Sequence, residues 1–83
     1  MEPTMTTEQR LRIAFRDALD LEPDTDPASL YYRSHPNWDS LGHMSLVVRI
    51  EEEFGIEIDS DQLMEIDSFE AALKVLREAG IDG

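Results

Sequence analysis

Asp39-Ser40-Leu41-Gly42-His43-Met44-Ser45-Leu46-Val47-Val48-Arg49-Ile50-Glu51-Glu52-Glu53-Phe54-Gly55 reads as one helix with both ends marked. Asp39 is the expected N-cap, worth ~1 kcal/mol. The helix is expected from Ser40 to Phe54, and Gly55 is its C-terminal stop. On a wheel, Leu46, Val47, Ile50 and Phe54 share one arc, and Leu41, Met44 and Val48 widen it past half the circumference. A surface helix needs an apolar stripe only somewhat wider than ~100°. This helix is therefore expected at the centre of a small bundle. Its extra apolar side is expected to line a second groove, where a guest chain could insert between helices two and three. Glu51, Glu52 and Glu53 sit in the last turn, where the macrodipole disfavours each acid by ~0.3–1 kcal/mol. A solvated acidic face, partly offset by Arg49, is the plain reading. Placement against local stability favours docking of a basic partner.

Upstream, Thr6 with Gln9 fits a capping box that starts a first helix at Thr6 or Thr7. Leu11, Phe15, Ala18 and Leu19 fall on one of its faces, and Pro23 ends any continuation. A long connection from Glu22 to about Trp38 carries Pro23, Pro27 and Pro36. Leu30, Tyr31 and Tyr32 are expected to pin it to the core, with a short turn of helix. Downstream, Ile56-Glu57-Ile58 reads as an extended link. A short helix is expected from Ser60 or Asp61 to Ile66. A fourth starts at Asp67 or Ser68, with Asp67 and Glu70 resembling a capping box. Phe69, Ala72, Leu73 and Leu76 make its inner face, and Gly80 closes it. The expected architecture is all-α: a four-helix bundle with a long first loop and a short third helix, one domain over 1–83, with a tail at Ile81-Asp82-Gly83 that frays.

The 83 residues include 7 Lys+Arg and 19 Asp+Glu, a formal charge of -12. Such a surface repels nucleic acid and anionic membranes alike. No run approaches the ~20 apolar residues of a membrane span. Met1-Glu2-Pro3-Thr4-Met5 lacks the basic start and apolar run of a signal peptide, so a cytoplasmic location and a monomer are the expectation. Without cysteine there is no disulfide, thiolate metal site or catalytic thiol. No metal is expected: Asp59 and Asp61 have calcium-loop spacing, but Leu63 takes a ligand position and Met64 the place of the required glycine.

Ser40 opens its helix at the positive end of the dipole, where unpaired backbone N–H groups hold phosphate well. A phosphodiester on Ser40 would be stabilised there; simple capping is the plainer role for a serine at this position. Taken with the first helix, the Pro-containing loop, Asp39-Ser40-Leu41, the acidic Glu51-Glu52-Glu53-Phe54-Gly55-Ile56 and the two closing helices, the sequence resembles the acyl carrier protein family. These are the phosphopantetheine-binding carriers of fatty-acid, polyketide and peptide synthesis, and the resemblance covers nearly the whole chain.

The resemblance implies 4'-phosphopantetheine, donated by coenzyme A, on Ser40, with Asp39 and Leu41 beside it, making the chain a phosphoprotein. It implies an acyl groove lined by Leu41, Met44, Val48, Ile58, Leu63 and Ile66, and docking through Glu51, Glu52 and Glu53. The implied partners are a phosphopantetheinyl transferase and acyl-loading and acyl-processing enzymes with basic surfaces. Fatty-acid carriers commonly have further acids soon after the serine. Here Gly42, His43 and Ser45 stand there, which points to a free-standing carrier of a specialised, polyketide-like pathway handling acyl, aminoacyl or hydroxyacyl groups.

Two rivals come from other classes. Ser40, His43 and Asp39 invite a triad, since Ser40 and His43 are one helical turn apart. Asp39 is poorly aimed to orient His43, and no oxyanion donor is evident, so the chain is not expected to be an enzyme. His35, before Pro36, reads as a surface loop residue. The other rival is an acidic helical interaction module with no prosthetic group. Trp38 and the tyrosine pair are expected to pack the long loop.

Overall fold

Thr6 accepts a hydrogen bond from the Gln9 amide at 3.1 Å, and the Gln9 side chain answers the Thr6 amide at 2.9 Å. This capping box opens α1, Thr7–Leu19, in the computed structural model, which describes residues 6–81. The expectations for Met1–Met5 and for Asp82 and Gly83 lie outside those residues. Three more helices follow: α2, Ser40–Phe54; α3, Ser60–Glu65; and α4, Phe69–Glu78. No strand forms among the described residues, although Tyr31 makes an isolated antiparallel bridge with Ser68. Among the described residues no helix is long and apolar enough to cross a membrane.

The core is built where helical periodicity brings apolar side chains together. Leu11, Ala14, Phe15 and Leu19 of α1 meet Leu46, Ile50 and Phe54 of α2 and Phe69, Ala72, Val75 and Leu76 of α4. Phe15 anchors this meeting, with edge-on contacts to Trp38 and Phe69 at 5.3 Å each. Ala14 and Val75 are core residues that the helical wheels above did not single out. Ala18 and Leu73 are only partly buried.

The long loop is tied down, but differently from expectation. A 3-10 turn forms at Pro27–Ser29, capped by Asp26, just before the apolar trio. Leu30 is buried and Tyr32 partly so, but the Tyr31 side chain is 64% exposed. Tyr31 holds the loop through its backbone instead, in the bridge to Ser68. The neighbouring Tyr32 amide donates to the Asp67 carbonyl at 2.8 Å. Trp38 is wholly buried.

α3 starts at Ser60, as expected, and α4 takes a different cap from the one expected. Asp59 and Gln62 form a full capping box for α3, which ends one residue early with Ile66 as its C-cap. At α4 the N-cap is Ser68, whose hydroxyl accepts from the Ala71 amide. The expected Asp67–Glu70 box is absent. With Ser68 as the cap, Glu70 lies one position short of the place from which it would bond back. Gly80 follows α4 with φ +91, a left-handed turn open to glycine.

Candidate functional site

Ser40 is the first residue of α2 and is exposed. The sequence places it there because Asp39, in extended conformation, turns its carboxylate onto the Gly42 amide at 2.8 Å. The Ser40 hydroxyl is thus spared the capping role and stays available. Its neighbour is Tyr32, whose hydroxyl lies 3.2 Å from Ser40 Oγ. That hydrogen bond and, second, the Arg33 guanidinium lower the Tyr32 pKa below the ordinary tyrosine value. Arg33 lies 5.6 Å from the centre of the Tyr32 ring.

Beside Ser40 opens a hollow of about 360 Å³ between α2 and α3. Tyr32, His43, Met44, Leu63, Met64 and Ile66 supply most of its wall, with Asp67 at the rim. Of the residues expected in an acyl groove, Met44, Leu63 and Ile66 meet here. Leu41 does not line it and is 79% exposed on the outer side of α2. Val48 lies two turns further on and faces a separate surface hollow with Asp17, Ala18, Ser45 and Glu52. Ile58 packs against the main core. The wide apolar arc of α2 thus splits three ways: the core, the hollow, and an exposed strip of Leu41, Met44 and Val48.

The acids at the end of α2 also separate. Glu51 accepts the Ile58 amide at 2.8 Å, fastening the extended link to α2. Glu53 pairs with Arg10 at 3.0 Å and with Arg49 at 3.4 Å. Glu52 is exposed and has no side-chain partner among the described residues.

His43 is buried, with 8% exposure. The Trp38 indole N–H donates to its Nδ1 at 3.0 Å, and its Nε2 lies 2.9 Å from the Leu63 carbonyl. An indole N–H only donates and a carbonyl only accepts, so both partners demand the neutral Nε2–H tautomer. Both ring nitrogens are therefore occupied away from Ser40, and the Asp39 carboxylate is on Gly42. His35 is partly buried, and its Nδ1 accepts the Asn37 amide at 3.0 Å. Among the described residues no group of three or more His, Cys, Asp or Glu is arranged to hold a metal ion.

Sequence reasoning preferred loop packing for Tyr32 over a place beside the serine, and it missed Met64 and Asp67 as parts of the hollow. No periodicity signals them, since loop closure and a short helix bring them in. The arrangement nonetheless fits a phosphate-linked arm: an exposed hydroxyl at a helix start, beside an apolar hollow. Residues 38–76 match the family described as phosphopantetheine attachment site. That description supports a phosphopantetheine-carrier role and implies a covalently attached 4'-phosphopantetheine. Domains of this kind generally work with a phosphopantetheinyl transferase and biosynthetic enzymes and are not generally catalysts themselves.

Proposed function

We propose that this phosphopantetheine carrier bears its arm on Ser40 and presents acyl, aminoacyl or hydroxyacyl thioesters to the enzymes of a specialised, polyketide-like pathway. The observation that carries the reading is the exposed Ser40 hydroxyl at the start of α2, released from capping by Asp39. On the transferase, Ser40 Oγ gives up its proton to the enzyme and takes the phosphopantetheinyl group from coenzyme A. Adenosine 3',5'-bisphosphate leaves. The thiol of the arm then supplies the sulfur that a chain without cysteine lacks. Asp39 holds the helix start in place, and Leu41 stands exposed beside the anchor. The hollow at Met44, Leu63 and Ile66 gives an apolar cargo partial shelter.

Tethering raises the local concentration of the cargo at each successive active site without new contacts. The chain works as one domain, as a monomer in the cytoplasm, and is not itself an enzyme. A triad is disfavoured because the two nitrogens of His43 serve Trp38 and Leu63. Basic enzyme surfaces are drawn by the net charge of -12 and meet Glu52 and the apolar strip beside it.

Incubation with coenzyme A and a broad-specificity phosphopantetheinyl transferase, read by intact mass, tests the assignment. One phosphopantetheinyl unit is expected, mapped by peptide analysis to Ser40 and absent from Ser40→Ala. An adduct on Ser45, or none with any competent transferase, overturns it.

A further inference from the structure

We infer that His43 is the latch of the hollow beside Ser40: a positioning residue that holds α3 against α2 and so limits the length of chain the hollow admits. The functional side of this inference rests on the arm being at Ser40.

The hold on α3 is slight. The helix has six residues and buries none of them. Its capping box, Asp59 with Gln62, is internal and attaches it to nothing else. Only Ile66, just past its end, enters the core. A helix this short leaves its last carbonyls without partners of its own. The Leu63 carbonyl is one of these, because the amide four residues on, at Asp67, turns back to Glu65 instead. His43 Nε2–H fills the vacancy at 2.9 Å. Among the described residues no other hydrogen bond joins α3 to α2.

The latch is itself braced. Trp38, wholly buried, fixes the other ring nitrogen at 3.0 Å. The planes of the two rings meet at only 20°, with centroids 6.2 Å apart, and Tyr32 packs edge-on against His43 at 5.3 Å. Tyr32 also touches Ser40. One line of contacts thus runs from the anchor hydroxyl through Tyr32 and His43 to the wall of α3. His43 lines the hollow that this wall closes. A long cargo can deepen the hollow only by moving α3, and moving α3 breaks the bond to Leu63.

The test begins on the unmodified protein, so that it does not depend on Ser40. Long-range proton–nitrogen spectra of the imidazole at neutral pH should show the proton on Nε2 and a bare Nδ1. The opposite tautomer overturns the latch. His43→Phe keeps a ring but leaves the Trp38 N–H and the Leu63 carbonyl unpaired. The Leu63 amide should then exchange about tenfold faster, while amides of α1 keep their rates. His43→Gln, which retains an acceptor and a donor on one group, should restore most of the protection. Unchanged exchange at Leu63, or equal loosening of α1, overturns the inference. Should His43→Phe not fold, the wild-type tautomer and the Gln variant decide.

The second arm uses butanoyl and dodecanoyl groups loaded from their coenzyme A thioesters. Wild type should shelter butanoyl only, whereas His43→Phe should also slow thioester hydrolysis of dodecanoyl. Equal hydrolysis of both cargoes in both proteins removes the limit on chain length. Failure of Ser40 to load at all counts against the proposed function, and the exchange and tautomer results still judge the latch.

Discussion

A methyl group on Gly42 would sit 2.0 Å from the Asn37 carbonyl oxygen and 3.2 Å from a Leu19 methyl. At that distance the obstacle is backbone, which cannot rotate away. Gly42 is what lets the loop cross the first turn of α2, where the Asn37 side chain also caps α1 through the Leu19 carbonyl at 2.9 Å. Gly42→Ala should therefore destabilise by about 1–3 kcal/mol, the usual cost of overpacking. That holds although alanine is favoured over glycine in helices by about 1 kcal/mol. Denaturant titration checks it, and a stabilised variant would contradict the close approach. The sequence marks Gly42 as a departure from the acids common after the serine, but the reason lies in residue 37, which no local pattern connects to it. The position of Ser40 at the head of α2 was readable, because an aspartate N-cap marks a helix start locally. Its contact with Tyr32 was not, because seven residues of loop lie between them.

At the scale of the element, α2 matches the sequence reading at both ends because its caps are local. Asp39 reaches the Gly42 amide, and Gly55 takes the left-handed φ of +66 that glycine accepts at little cost. The caps of the last two helices were less legible. Adjacent polar residues at Asp67 and Ser68 compete for one role, and the bridge from Ser68 to Tyr31 decides it. Within α2, the three consecutive acids look equivalent in sequence, yet Glu51 is taken by the Ile58 amide, Glu53 by Arg10 as well as Arg49, and Glu52 by no side chain among the described residues. Glu51→Ala should cost about 1 kcal/mol by stranding the Ile58 amide. Glu52→Gln should change stability by less than about 0.5 kcal/mol. It should weaken binding to a basic partner enzyme more than it changes the fold. Thermal unfolding and affinity measured side by side separate the two roles. A stability loss in Glu52→Gln matching that of Glu51→Ala would refute the division.

For the molecule as a whole, charge and pH enter together. Asp26 has its pKa lowered, first by the Ala28 amide and then by Arg12, which bridges to it at 2.6 Å. This bridge ties α1 to the long loop. A carboxyl depressed in the folded state adds stability above its unfolded pKa of ~3.9, and loses it as pH falls through the folded value. Asp26→Asn should therefore melt below wild type at neutral pH, and the gap should close as pH drops through and below the usual carboxylate range. Thermal scans from pH 7 to pH 2 measure this; a gap that widens on acidification would reverse the sign of the coupling.

The helices, their order and the serine at the head of α2 were determined by sequence alone. They depend on periodicity, caps and glycine stops, which act over a few residues. So was the acidic field, which is a sum and needs no geometry. Only the tertiary structure decided which part of α2's wide apolar arc faces the core, which faces the hollow and which stays exposed. It alone assigned Glu51 and Glu53 to internal partners. It alone set His43 between Trp38 and Leu63. Those outcomes depend on where the twenty-residue connection between α1 and α2 and the six-residue α3 come to rest, and that is settled by packing between elements far apart in the chain.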